Sequence, residues 1–285
     1  MSTVILIGDP VAHSRSPLMQ NAAFAACDLP IRYTAVHTPA ADVADRIALL
    51  RSPDYLGANV TLPHKQAVLP LLDQIEPEAA AIGAVNTIYK DATGALIGAN
   101  TDAPGLLVDL ATVDWHPTPA QRVVILGASG AARAAAFALA NAGVAELVVA
   151  NRSIARAEAL LADLLIGLTD EQGLLPNGDL PPALIALDLV DPDLAALIAS
   201  CDLLINATAL GWHADETPLP DPPVPAHALV YDMVYRETRL LREAAARGAR
   251  TCDGLGMLVQ QGALAFTRWT GHPAPLAVMR AALGG

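Results

Sequence analysis

Lysine is nearly missing from this chain of 285 residues: of its seventeen Lys and Arg, two are lysines, Lys65 and Lys90. A guanidinium keeps its proton at any ordinary pH, whereas an ammonium releases one when its surroundings lower its pKa. A lysine retained in an arginine-using chain is therefore a candidate for proton transfer. Lys90 lies beside Asp91 in a turn sequence and reads as an ordinary surface residue, which leaves Lys65. Aromatic residues are also few, at 4%, and the formal net charge is -12. The first removes the stacking platforms that single-stranded nucleic acid needs, and the second opposes binding to a phosphate backbone. Nucleic acid is thus excluded as a partner, and the acidity serves ordinary solubility.

Cysteine is equally sparse. Cys27, Cys201 and Cys252 are odd in number and widely spaced, with no C-x-x-C and no Cys/His ligand pair near them. They imply neither a disulfide framework nor a metal site, and fit reduced thiols in a cytoplasmic protein. The first residues enter a strand at Val4 to Ile7 without a basic leader. No apolar run is long enough to span a bilayer, so neither export nor membrane insertion is expected. With 53% hydrophobic and 16% charged residues, the chain is globular, and its length suits two domains with separate cores.

The stretch from Arg122 to Arg156 is the most informative. The apolar run Val123 to Leu126 meets Gly127-Ala128-Ser129-Gly130, and an alanine-rich helix follows from Ala131 to a stop at Asn141-Ala142-Gly143. Strand, glycine turn and helix start together form an anion cradle, because the first N–H groups of a helix have no intrahelical partner and its dipole is positive there. Ser129 replaces the second glycine of G-x-G-x-x-G and Ala132 the third. A second strand, Glu146 to Ala150, ends at Asn151-Arg152-Ser153. An acidic residue here would hold the ribose 2′-OH of NAD; Arg152 and Arg156, with Asn151 and Ser153, suit a 2′-phosphate instead, so the cofactor expected is NADP.

Upstream, strand Val4 to Ile7 leads to His13-Ser14-Arg15-Ser16, then Pro17 at the head of a helix. Paired hydroxyls on a strand-end loop can hold a small carboxylate, and Ser16 also suits the helix cap. Strand Tyr55 to Val60 leads into Asn59-Val60-Thr61-Leu62-Pro63-His64-Lys65, where Pro63 suggests a helix start, with Thr61 and Lys65 across the junction. His64 reads as structural. A hairpin follows, with Asn86 and Thr87 entering one strand, a turn at Asp91 to Gly94, and Asn100-Thr101-Asp102 ending the other; Thr101 or Asp102 would cap the next helix. Beyond residue 182, strands at 183–187, 203–206 and 228–232 alternate with helices at 192–199 and 238–247, giving a doubly wound domain. Asn206-Ala207-Thr208 and Tyr231 to Tyr235 leave two of these strands, and Gly254 to Gln261 opens an apolar helix. Residues 166–182 read as a surface excursion.

These spaced elements resemble the shikimate dehydrogenase family over nearly the whole chain: Gly8 through Asn21, Asn59 to Lys65, Gly83 to Thr87, Asn100 to Asp102, the Gly127 loop, Asn151 to Ala157, Asn206 to Thr208, and Gly254 to Gly262. The resemblance implies two α/β domains flanking a cleft, residues 1–103 with 254–285 binding substrate and 104–253 forming a Rossmann-type NADP domain. It implies NADP-dependent reduction of 3-dehydroshikimate to shikimate, a step of aromatic amino-acid biosynthesis, by a monomer or homodimer. On matching positions, Lys65 and Asp102 would form the acid/base pair, and Ser14 and Ser16 would take the substrate carboxylate. Asn59, Thr61, Asn86, Asp102 and Gln261 would take ring hydroxyls, with Tyr235 in the cleft. Gly127, Ala128, Ser129, Gly130, Ala131, Asn151, Arg152, Ser153, Arg156 and Thr208 would hold the cofactor, with Gly254 and Met257 beside its nicotinamide.

The sequence departs from the family pattern at Gln20, where His is frequent, at Trp212, where Met is usual, and after Tyr235, where about two residues are missing. Alternatives are a quinate or quinate/shikimate dehydrogenase and a catalytically silent metabolite-binding homologue. Methylenetetrahydrofolate dehydrogenases, with a comparable plan, carry a Tyr where Thr61 stands. Retention of Lys65 and Asp102 opposes a silent homologue, and Ser16 with the absence of an acid at Arg152 opposes NAD-linked quinate chemistry.

Overall fold

The computed structural model describes residues 2–213 and 215–284. In chain order the first elements are β1 (Ser2–Gly8), α1 (Ser16–Ala26), β2 (Ile31–His37), α2 (Val43–Leu49), β3 (Tyr55–Val60) and β4 (Gln74–Ile75). There follow α3 (Pro77–Ile82), β5 (Thr87–Lys90), β6 (Leu96–Ala99) and α4 (Asp102–Thr112). Next come β7 (Arg122–Leu126), α5 (Gly130–Asn141), β8 (Glu146–Asn151), α6 (Ile154–Leu168), β9 (Ala183–Asp188), α7 (Pro192–Ile198) and β10 (Leu203–Asn206). The chain closes with β11 (Leu229–Asp232), α8 (Arg239–Ala246), β12 (Arg250–Asp253), α9 (Leu255–Thr270) and α10 (Leu276–Ala282). No described helix is long and apolar enough to cross a membrane.

Two compact units result, residues 1–105 with 258–285 and residues 106–257. Both chain crossings fall inside helices, α4 and α9.

The first unit holds a mixed six-stranded sheet in the order β2-β1-β3-β5-β6-β4. β1 runs parallel to both β2 and β3, while β5 is antiparallel to β3 and to β6. The carboxyl ends of β1, β3 and β6 and the start of β5 therefore share one edge. Ser14, Thr61, Asn86 and Asp102 all leave the sheet at that edge, and β1 and β3 flank the point where strand order reverses, the usual ligand position in such sheets. Ile5, Ile7, Val43, Ile47, Ala58, Val60, Ile88 and Leu96 bury one face as a single apolar cluster. At roughly 1.5 to 3 kcal/mol for each large aliphatic side chain, this packing fixes the strand ends.

The second unit is an all-parallel sheet in the order β12-β11-β10-β7-β8-β9, the doubly wound arrangement. Its strands are almost wholly apolar because helices cover both faces; Val123 to Leu126, Leu147 to Ala150 and Leu203 to Ile205 are completely buried. The reversal lies between β7 and β10, so the Gly127 loop and Thr208 leave the sheet side by side.

Four local expectations change. No helix begins at Pro63: residues 62–68 form turns ending in a 3-10 segment at Leu69–Leu71. The Lys65 carbonyl accepts from Val85 N at 2.8 Å instead of from the next turn, which ties the segment to the strand pair rather than to itself. Ser16 is not the cap of α1; it is the first helical residue, and Arg15 holds the cap position without a side-chain bond. α4 is capped neither by Thr101 nor by Asp102 but by Asn100, whose Oδ1 accepts from Asp102 N at 3.0 Å and Ala103 N at 3.2 Å. Finally, β12 was not expected; it is a short edge strand, half of it exposed, whose polar sequence carries no strand period.

Candidate active site

At the shared edge of the first sheet, Lys65 Nζ meets Asp102 Oδ2 at 2.5 Å, with side-chain exposures of 13% and 7%. A nearly buried ion pair of this kind loses more solvation than a surface pair and persists only where other groups complete it. Asn86 does so: its Nδ2 donates to Asp102 Oδ1 at 2.8 Å and to Thr101 Oγ1 at 2.9 Å, while its Oδ1 accepts from Thr101 N at 2.8 Å. Asn100 fixes the same corner from behind, donating to Ala84 O at 2.9 Å. Both carboxylate oxygens of Asp102 thus have donors, and the lysine keeps two further N–H groups for a third party.

Ser14 and Ser16 lie together at the end of β1. Ser16 is buried and Ser14 half-buried, and Ser14 Oγ accepts from Ser16 N at 3.3 Å, which leaves the Ser14 proton free to donate. Thr61 follows β3, its N–H bonded to Ile7 O at 2.9 Å, and a Cβ at Gly8 would lie 2.3 Å from Thr61 Cγ2. Only glycine allows the two strand ends to approach so closely. Gln261 stands on α9, where a Cβ at Gly105 would meet its backbone at 2.9 Å, so the head of α4 packs directly on it. Its Nε2 donates one proton to Leu258 O at 2.8 Å.

Asn59 and Asn86 present a different picture from the rest. Asn59 Nδ2 donates to Asn86 O and to Thr87 Oγ1, each at 3.0 Å, and its Oδ1 accepts from Tyr33 OH at 2.8 Å. The N–H groups of both amides are thus taken by protein partners. His64 is buried and bonds Thr38 O at 2.6 Å through Nε2, facing away from the pair. Gln20, at the family's frequent His position, is fully buried and donates to Gly262 O at 2.9 Å, joining α1 to α9.

The second unit carries a separate set. Gly127 has φ +110°, and a Cβ there would meet Ala207 C and O and Thr208 Cγ2 at 3.1 Å. Its place in the loop requires glycine for both reasons. Ser129 caps α5, accepting from Ala132 N at 3.3 Å and donating to Ala207 O at 2.9 Å. The cradle is therefore built from backbone: Ala128 leads to the helix head at Gly130 and Ala131, whose N–H groups lie in the unpaired first turn. Thr208 is set by Asn206, whose Oδ1 accepts from its N at 3.0 Å and its Oγ1 at 2.7 Å. Asn206 in turn donates to Asp232 at 2.9 Å; burial pushes this carboxyl upward, opposed by bonds from Thr238, Val234 N and Asn206.

At the end of β8, Asn151 Nδ2 donates to Ser153 O at 3.0 Å, shaping the turn. Arg152, Ser153 and Arg156 are exposed, and no described residue engages either guanidinium in a hydrogen bond or ion pair. Tyr235 packs edge-on against Trp212, with ring centroids 4.8 Å apart, so the residue that departs from the family pattern at 212 contacts the one that precedes the shortened segment. Gly254 closes on Met233, whose O would lie 2.4 Å from a Cβ, and Met257 is buried. A glycine bend, a helix head and two unengaged arginines fit a phosphate-bearing dinucleotide with a third phosphate on its ribose.

Sequence comparison addresses both units. Family models match residues 6–88 (shikimate dehydrogenase substrate binding domain), 84–180 (shikimate / quinate 5-dehydrogenase) and 254–283 (shikimate 5′-dehydrogenase C-terminal domain). A shikimate dehydrogenase (NADP(+)) from Moorella thermoacetica is 46% identical over 280 residues, covering 97% of this chain and 90% of its own. This chain belongs to the shikimate dehydrogenase family. Solved members superpose closely. The shikimate 5-dehydrogenase of Thermus thermophilus in complex with NADP(H) and shikimate has a TM-score of 0.82 at 37% identity, covering 99% of this chain and 98% of its own. The quinate dehydrogenase of Corynebacterium glutamicum in complex with NAD has a TM-score of 0.84 at 31% identity, with the same two coverages.

Among residues bonded around the pair, sequence reasoning passed over two: Tyr33, and Asn100 as the cap. The Asn-Thr-Asp run was the available signal for Asn100. Tyr33, in the middle of a β-branched strand, carried none.

Proposed function

We propose that this chain catalyses the NADP-dependent, reversible reduction of 3-dehydroshikimate to shikimate, the first unit binding substrate and the second binding NADP. The observation that carries the reading is the nearly buried Lys65–Asp102 pair held at a ligand-binding sheet edge by Asn86 and Asn100. Its relatives named shikimate dehydrogenase (NADP(+)) support the same substrate and cofactor.

The cofactor, when bound, supplies and accepts the hydride. Everything else falls to the chain. Reduction of a ketone leaves an alkoxide, which is stabilised by a positive neighbour and quenched by a proton. Lys65 offers both, from the N–H groups that Asp102 does not take. Asp102 aims the ammonium and accepts from the product hydroxyl, so the two act as a coupled pair. Ser14 and Ser16 hold the carboxylate; Thr61 and Gln261 take ring hydroxyls, with Asn59 and Asn86 keeping the floor in register. Tyr235 also contacts the substrate. Gly127 to Ala131 and Thr208 cradle the pyrophosphate, and Asn151, Arg152, Ser153 and Arg156 hold the 2′-phosphate. Gly254 and Met257 border the nicotinamide. The three cysteines, all free, suit a reducing cytoplasm.

Quinate is the second reading, favoured by the likeness to a quinate dehydrogenase. Arg152 at the end of β8, where NAD-binding domains place an acid, argues for NADP and against that enzyme's cofactor. Purified protein mixed with shikimate or quinate, each with NADP or NAD, should form reduced nicotinamide fastest with shikimate and NADP. A higher kcat/KM with quinate and NAD would replace this reading.

A further inference from the structure

Beneath the acid/base pair runs a file of buried polar groups whose protons all point one way. Tyr33 is 1% exposed and donates its single phenolic proton to Asn59 Oδ1 at 2.8 Å. The Asn59 amide cannot be reversed, since its Nδ2 faces the Asn86 carbonyl at 3.0 Å, and the same nitrogen donates to Thr87 Oγ1 at 3.0 Å. With that lone pair occupied, the Thr87 hydroxyl passes its proton onward to Asn86 Oδ1 at 3.0 Å or to Thr101 Oγ1 at 3.2 Å, itself bonded to Asn86. Asn86 is also fixed in orientation, because its Oδ1 takes the Thr101 backbone N–H at 2.8 Å; its Nδ2 must then donate to Asp102 Oδ1 at 2.8 Å. Lys65 closes the file from the far side, on Asp102 Oδ2.

We infer that Tyr33 and Thr87 are positioning residues for the acid/base pair, forming a one-way donor chain, Tyr33 to Asn59 to Thr87 to Asn86, that ends on the Asp102 carboxylate. The inference rests on the reading of Lys65 and Asp102 given above and extends it to residues that touch no substrate. Donors aligned in series polarise one another, and a chain that terminates on a carboxylate holds its rotamer. Tyr33 is a suitable anchor because both its backbone and its ring are held. Its backbone N–H and C=O are bonded to the Asn21 side chain at 2.8 and 2.9 Å, and its ring leans on Trp269 with centroids 6.0 Å apart. Burial also raises its pKa far above the ordinary phenol value, opposed by a hydrogen bond with the Ser16 side chain, so it remains a donor throughout the working range. The groups facing Asp102 by hydrogen bond are Lys65 from the 62–68 turns, Asn86 from the head of β5, and Asn100 through the backbone N–H. Lys65 is the charged one among them, and the chain acts on Asp102 opposite to it.

Tyr33→Phe and Thr87→Val each remove one hydroxyl with little change of shape, and Thr87→Ser restores the hydroxyl without the methyl. Steady-state kinetics with shikimate and NADP should show kcat reduced about 10-fold in each of the first two, with both KM values within about 2-fold of wild type. Because the two hydroxyls belong to one chain, the double variant should be no worse than the weaker single variant. Thr87→Ser should recover to within about 2-fold of wild type. Unchanged kcat in both single variants, losses that multiply to about 100-fold in the double, or losses confined to KM would each overturn the chain. Should Tyr33→Phe fail to fold, the Thr87→Val and Thr87→Ser pair decides alone: the serine variant must rescue what valine loses. Wild-type protein that does not turn over shikimate would overturn the functional reading itself, whereas active wild type with unaffected variants overturns the donor chain alone.

Discussion

Arg152→Ala should separate the two nicotinamide cofactors. Arg152 and Arg156 stand four residues apart around the start of α6, a turn that carries no acid in its first residues, and both are exposed without a described partner. No described residue of the second unit bonds either guanidinium, so their charge is available to a ligand. A hydrogen bond to a charged group contributes about 1.5 to 3 kcal/mol, and each 1.4 kcal/mol is a factor of ten. Exposure places Arg152 at the lower end of that range, since water and salt screen the contact. The expected result is a rise of roughly 10-fold in the KM for NADP, reaching about 100-fold or more when Arg156→Ala is added. KM for NAD should move less than about 2-fold, because NAD lacks the phosphate that either guanidinium would hold. Initial rates at saturating shikimate, with each cofactor varied in turn, supply both numbers from one preparation. Calorimetry with adenosine 2′,5′-bisphosphate provides the same comparison without catalysis. Equal losses with NADP and NAD would refute the reasoning, because the arginines would then be supporting the loop rather than reading a phosphate.

Two further outcomes follow from the first unit. A Ser14→Ala, Ser16→Ala double variant should bind NADP as wild type does and bind shikimate at least 10-fold more weakly by calorimetry, since a carboxylate loses two hydroxyl donors; unchanged affinity would make the serines structural. Asn100→Ala should lower stability by roughly 2 to 4 kcal/mol, combining a lost helix cap with a buried Ala84 carbonyl left without its donor, and should lower Tm by several degrees in a thermal melt; a Tm equal to wild type would show that α4 needs no cap.

The sequence showed best where a repeating physical constraint wrote the residues. The strands of the second unit are buried on both faces, so they appear as the apolar runs Val123 to Leu126 and Leu203 to Ile205, and the Gly127 bend between strand and helix admits no side chain. The doubly wound order followed from these. The first unit was less transparent at its loops. Pro63 looked like a helix start because proline suits the first helical turn, yet the Lys65 carbonyl is taken by Val85 across the sheet, a partner twenty residues away that no local pattern announces. Ser16 resembled a cap for the same reason, because Pro17 follows it, yet it is already the first helical residue and no side chain caps α1. Asn59 and Asn86 were legible as polar residues at the correct edge, but the direction of their amides depends on Tyr33, Thr87 and Thr101, which meet them only in the folded sheet. β12 stayed hidden because an exposed edge strand has one neighbour and little need of hydrophobic alternation.

Turnover depends on Lys65. In Lys65→Met the side chain keeps its length and loses its charge, while Asp102 keeps the Asn86 donor and the helix cap from Asn100, so the protein should fold. Removing a positioned acid/base costs on the order of 100-fold to 10,000-fold in rate. Steady-state oxidation of shikimate by NADP, with a thermal melt and NADP binding measured on the same sample, tests this directly. The expected result is a folded protein that binds NADP normally and has lost turnover to that extent; a folded Lys65→Met protein with kcat within a few-fold of wild type would contradict it.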